Sequence, residues 1–209
     1  MPRLAHDFSA LRGLRQPTVE DPWRVLVSGC LTGLPCGADG TDYGMGAKLA
    51  ELLALPTVRV IPFCPEEHAL GTPRGTPDIE AGSSGFAVLD GRARVLDDKG
   101  EDVTKGMIAG GKAMAELAER EKVDLAILTD MSAACGSQVI SDGCRLVEDR
   151  AYQKGVGVAT ALLLRQGVCV VSQRDFRTLG ILRQRLEPGY VADLAAVDHH
   201  HHPWVLENL

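Results

Sequence analysis

Three cysteines fall where apolar, β-branched runs give out. Arg24-Val-Leu-Val-Ser28 runs into Gly29-Cys30, and Val58-Arg-Val-Ile61 runs through Pro62-Phe63 into Cys64-Pro-Glu66. Val123 to Leu128 runs into Thr129 and then Ser132-Ala-Ala-Cys135-Gly136. A thiol used for packing sits more naturally inside such a run, as Cys169 does in Val168-Cys-Val-Val171. Beyond the carboxyl ends of parallel strands the loops splay apart where strand order reverses, and ligands bind there. If these three strands are neighbours, three thiols converge, which suits a soft metal or an iron–sulfur cluster. Four-iron clusters ordinarily take four cysteines, so a set of three leaves one iron open to a further ligand. No C-x-x-C pair occurs anywhere, which argues against a local zinc ribbon. Cys36 and Cys144 lie in loops, each standing as a fourth ligand, a reactive thiol or neither. Two other readings stay open. One is a closed structural or sensory zinc site completed by His68, Cys36 or Cys144. The other is a metal-free enzyme using Cys135 as a nucleophile beside a helix N-terminus.

Apolar periodicity predicts the elements that hold these residues. Helical spacing covers 44–54, then a long stretch from Asp102 or Thr104 as cap to about Lys122, then a helix starting near Gly155 or Gly157 and stopped by Gly167. Phe86 to Leu89 and Ala93 to Leu96, joined through Asp90-Gly91, predict a hairpin. Residues 62–85 are rich in Pro and Gly and long for a connection in a compact domain, which marks a functional loop. Strands alternating with helices predict an α/β fold: a single Rossmann-like layered domain with a mainly parallel sheet, a small β-hairpin insertion and helices on both faces. The expected organisation is an N-terminal extension over 1–23, the domain over 24–190, and a tail over 191–209. The tail carries His199 to His202, read as flexible, although such tracts can bind metal.

A chain of 209 residues with 45% hydrophobic content is enough for one well-buried domain. Its 22 basic residues are scattered among 28 acidic ones for a net charge of -6, which argues against nucleic acid or an anionic membrane as the main partner. No apolar run approaches the roughly 20 residues that span a bilayer. Arg3 is followed by no continuous apolar core, so no secretory signal is expected and a cytoplasmic address follows. In a reducing compartment six scattered cysteines read as ligands, catalysts or packing rather than disulfides.

The same residues carry a resemblance. Val27-Ser-Gly-Cys-Leu-Thr-Gly33, Cys36 to Gly40, Cys64-Pro-Glu66, Gly71-Thr-Pro-Arg74 with Pro77, Asp102-Val-Thr104, Ser132 to Gly136, Ser141-Asp-Gly143 and Gly155-Val-Gly157 follow one another over about residues 24–172. This order resembles the serial motifs of the thiouracil desulfurase family. The resemblance implies a 4Fe-4S cluster bound by Cys30, Cys64 and Cys135, with an open iron that takes the sulfur of a thiolated nucleobase. It also implies a proton-transfer role for Glu66 and makes Ser132 a second active-site polar group. The chemistry is coherent: a thiocarbonyl sulfur is a soft donor, and polarising its bond lets water add at carbon. The chain departs from the family pattern at Thr129-Asp130-Met131, where a lysine is expected, at Ala133 and Ala134, and at Gly37-Ala38.

Taken alone, the residues also permit plainer roles. Glu66 fits a solvated loop carboxylate, and Ser132 a turn-forming serine. Arg74 is either a contact for an anionic substrate group or a partner for Asp78 or Glu80. Asp39 and Asp142 suit Asp-Gly turns, with Asp39 carried beside Arg74 as a substrate-binding candidate. Gly155-Val-Gly157 lacks the third glycine of a dinucleotide fingerprint.

Overall fold

A computed structural model describes residues 11–209; the part of the N-terminal extension around Arg3 lies outside the described residues. Four parallel strands form the central sheet in the order β2-β1-β5-β8: β1 (Trp23–Ser28), β2 (Val58–Phe63), β5 (Leu125–Leu128) and β8 (Val170–Ser172). The helices are α1 (Ala50–Leu53), α2 (Pro65–Leu70), α3 (Gly85–Leu89), α4 (Thr104–Arg120), α5 (Val158–Arg165), α6 (Phe176–Leu186) and α7 (Pro203–Asn208). Two hairpins complete the fold: β3 (Asp78–Ile79) with β4 (Val95–Leu96), and β6 (Val139–Ser141) with β7 (Tyr152–Lys154).

Successive strand residues face opposite sides, so β1 and β5 feed two cores. Leu26, Ala126 and Leu128 join Met107 and Met114 of α4 and Leu163 of α5 on one face. Val25, Val27, Leu125 and Ile127 join Leu179, Leu182 and Leu186 of α6 on the other. Each such buried aliphatic chain contributes roughly 1.5–3 kcal/mol, and covering both faces is why Val25 to Val27 of β1 and Leu125 to Leu128 of β5 are continuously apolar. Among the described residues no helix is long and apolar enough to cross a membrane.

Several local expectations change. Phe86 to Leu89 lie in helix α3 rather than a strand, because Ala87 and Val88 bury themselves and Asp90-Gly91 ends the helix, with Gly91 at φ +71°. The hairpin partner of Val95–Leu96 is therefore Asp78–Ile79. The expected helix over 44–54 shrinks to α1, since Gly46 packs directly on the Leu31 carbonyl, where a Cβ would sit 2.3 Å away. The presumed loop 62–85 contains α2 and β3. Helix α4 starts at Thr104 without a side-chain cap, while Asp102 accepts the Thr104 amide in a turn of its own. The strand expected from Val123 begins at Leu125, and Cys169 just precedes β8 instead of lying within it.

Candidate active site

Strand order decides whether the three cysteines meet. The chain leaves β1 for β2 on one side and later returns to β5 on the other, so strand order reverses at β1. Cys30, Cys64 and Cys135 follow the carboxyl ends of these three adjacent strands and line one cavity of about 560 Å³. Cys30 sits in a short 3-10 turn, Gly29–Thr32, and its Sγ shares a hydrogen bond of 3.0 Å with Thr129 Oγ1 from the end of β5. Cys64 is the N-cap of α2, its sulfur accepting the Glu67 amide at 3.4 Å. Cys135 is held by the loop after β5. Helix α5 also fixes that loop, because the Val158 and Ala159 amides donate to the carbonyls of Ala133 and Ala134 and Thr160 Oγ1 donates to that of Cys135. Gly157 permits this contact, since a Cβ there would lie 2.4 Å from the Ala134 carbonyl. Close packing therefore accounts for the Gly155-Val-Gly157 pattern.

Glu66, in the first turn of α2, points one carboxylate oxygen at each of two partners. Ser132 Oγ donates to Oε1 at 3.1 Å, and Arg74 Nη2 donates to Oε2 at 2.8 Å. Ser132 Oγ also accepts the amides of Ala134 and Cys135, so it shapes the turn and meets the carboxylate at once. Arg74 pairs with neither Asp78 nor Glu80, which bind Arg145 and Arg94 instead. Its side chain is 6% exposed, and its guanidinium donates further to the carbonyls of Cys36 and Gly71 and to Thr72 Oγ1. Asp39 reaches the cavity rim as an exposed turn carboxylate, held below the usual range by the Thr41 amide and hydroxyl.

Burial pushes the Cys30 and Cys64 thiols up, and it pushes Cys135 well above the ordinary thiol range, with the neighbouring charges of Cys64 and Glu66 adding to the effect. A metal-free cysteine nucleophile needs the opposite shift. Among the described residues no three His, Cys, Asp or Glu side chains gather tightly enough for a single metal ion. The thiols surround a space rather than meet at a point, which does not suit a closed zinc site. Cys36 is buried at the cavity wall, with burial and the neighbouring thiols raising its pKa, whereas Cys144 is exposed.

The profile of the 2-thiouracil desulfurase family matches residues 25–175. The chain belongs to that family. YbbK, an uncharacterized protein of Bacillus subtilis (strain 168), is 30% identical over 156 residues, covering 74% of this chain and 99% of YbbK. A solved [4Fe-4S]-dependent thiouracil desulfidase, TudS, shares 29% identity with a TM-score of 0.62, covering 76% of this chain and 96% of TudS. For a member of the desulfurase family the strand-end cysteines, Glu66, Ser132 and Arg74 thus share one cavity.

Sequence reasoning missed two organisers of this site. Asp130 is fully buried, and its Oδ1 accepts the amides of Met131, Ser137, Gln138 and Val139 at 2.9–3.2 Å, tying the loop that bears Ser132 and Cys135. Burial opposes its ionisation, but His199 and these amides hold its pKa below the usual range. Arg145 bridges Asp78 and the Met131 carbonyl across the cavity wall. An acidic residue two positions past the wholly apolar strand Leu125–Leu128 was the available signal for Asp130.

Proposed function

We propose that this chain replaces the sulfur of a small thiocarbonyl compound, such as a thiouracil-like base, with oxygen from water. The observation that carries the reading is the arrangement of Cys30, Cys64 and Cys135 around one cavity that also holds the hydrogen-bonded Glu66 and Ser132. TudS is described as [4Fe-4S]-dependent, and the donor set here fits that group. Three soft sulfurs line one cavity and burial disfavours their bare thiolates, so the thiols would be held deprotonated only beside a cationic partner, a role an iron–sulfur group would fill. Cys30, Cys64 and Cys135 would hold it. Bound by three thiolates, such a cluster would supply one iron without a protein ligand, a soft Lewis acid for a thiocarbonyl sulfur.

The chain's own groups supply proton transfer and placement. Glu66 takes a proton from the water that adds at carbon and returns it to the departing sulfur. Thiocarbonyl plus water gives carbonyl plus hydrogen sulfide, with no net change in oxidation state. Ser132 and Arg74 each hold one carboxylate oxygen, so Glu66 presents a fixed lone pair and keeps a compensating cation beside it. Met45, Phe63 and Leu146 give the cavity apolar wall against which a planar base packs. Asp39 and Arg74 are the candidate contacts for polar groups of the substrate.

Anaerobic reconstitution with iron and sulfide tests the reading. The wild type is expected to take up about four irons per chain, and Cys135→Ala to lose them. Glu66→Gln is expected to keep the iron and to slow sulfide release from 2-thiouracil by about 10²–10⁴-fold. Stoichiometric zinc, or full iron content in Cys135→Ala, would sink it in favour of a structural or sensory metal protein.

A further inference from the structure

The histidine run expected to form a loose tail is built into the site. His199 is 5% exposed, and its Nδ1 lies 2.6 Å from Asp130 Oδ2. The His199 amide donates to Asp175 Oδ1 at 3.0 Å, and His200 Nδ1 lies 3.1 Å from Gln138 Oε1. Asp198, also buried, accepts both the amide and the hydroxyl of Thr178 in the first turn of α6, at 2.8 Å each. Beyond the histidines, Trp204 meets Tyr152 of β7 edge to face with ring centroids 5.7 Å apart, and Val205 is buried. Residues 198–205 thus form a strap anchored through Asp198, His199, His200 and Trp204, and the strap lies past residue 175, where the family match ends.

The strap touches the loop that matters. One oxygen of Asp130 gathers four backbone amides of the 131–139 loop, and that loop delivers Ser132 to Glu66 and Cys135 to the cavity. The other oxygen is taken by His199. A buried carboxylate that lacks this partner has one oxygen facing nothing, so it draws in water or shifts the loop it organises.

We propose that the C-terminal segment is a strap over the active-site loop, and that His199 is a positioning residue, acting through Asp130 to fix the conformation that presents Ser132 and Cys135. The role rests on the desulfurase reading only in its consequence for turnover; the restraint on the loop stands on the contacts alone.

The test is the rate of alkylation of individual cysteines by iodoacetamide in the full-length chain before reconstitution, read by mass spectrometry. Exposed Cys144 is the internal standard, and Cys36, buried at the cavity wall outside the 131–139 loop, is the control for general loosening. His199→Ala is expected to speed Cys135 about tenfold or more, the factor that loss of one hydrogen bond to a charged group corresponds to, with Cys36 unchanged. His199→Asn, whose amide nitrogen takes the place of Nδ1, restores the wild-type rate. After reconstitution, kcat for thiouracil is expected to fall in the alanine variant and recover in the asparagine variant. If His199→Ala does not fold, Thr178→Ala loosens the anchor at Asp198 without touching the loop and is expected to speed Cys135 alone. An unchanged Cys135 rate, equal acceleration of Cys36 and Cys135, or identical behaviour of the alanine and asparagine variants overturns the proposal. Inactive protein with the expected alkylation pattern would instead count against the desulfurase reading and leave the strap standing.

Discussion

The Arg74–Glu66 pair offers the sharpest check on how the site is built. The guanidinium and carboxylate side chains are 6% and 14% exposed and meet at 2.8 Å. At that distance, with an effective dielectric of about 20, their gross attraction is about 6 kcal/mol, offset in large part by the desolvation of both ions. Arg74→Met leaves a nearly buried carboxylate with only Ser132 as partner, and is expected to destabilise the fold by about 3–5 kcal/mol. Glu66→Gln leaves Arg74 its three other acceptors, Cys36 O, Gly71 O and Thr72 Oγ1, and is expected to cost about 1–3 kcal/mol. The double variant should fall short of the sum by about 2–3 kcal/mol, the coupling of a close, largely desolvated pair. Urea unfolding of the four full-length proteins measures it. Arg74→Met should also lower kcat by about 10²-fold, because a carboxylate freed on one side no longer holds its lone pair in place. A coupling below about 0.5 kcal/mol would refute the argument and return Glu66 to the class of solvent-screened loop carboxylates.

Two further outcomes follow from the packing. Asp175 is buried and its pKa is pushed up to about 6, by burial first, against hydrogen bonds from the Ser172 amide, Gln138 and the His199 amide. Because the folded state holds its proton more tightly than the unfolded chain, the stability it contributes is present below about pH 4 and lost as pH rises through about 6. Urea midpoints of wild type minus Asp175→Asn, compared at pH 4.5 and 7, should fall with rising pH; a flat or rising difference would contradict the assignment. Gly157→Ala places a methyl against the Ala134 carbonyl 2.4 Å away, so it is expected to destabilise by about 1–3 kcal/mol or more and to lower iron retention at Cys135. Unchanged stability and iron content would show that α5 does not brace that loop.

How much of this was legible from the chain divides along a physical line. A thiol just past an apolar run is a local pattern, so Cys30, Cys64 and Cys135, the α/β class and the start of α5 were all readable from neighbours in sequence. The motif order around those cysteines carried Glu66 and Ser132 with them. The hairpin at Asp90-Gly91 misled because a short apolar run is equally a buried helix, and packing made it α3. Arg74 was readable either as a substrate contact or as a partner for nearby Asp78 or Glu80, but folding presented Glu66 from α2 as its ion-pair partner. His199 looked solvated because its neighbours are polar, and nothing in the run itself reveals a buried acid 69 residues away. Spacing and composition determined what chemistry the chain has to offer. Strand order and desolvation, which join residues distant in sequence and give unpaired buried charges their penalty, decided which of those groups meet.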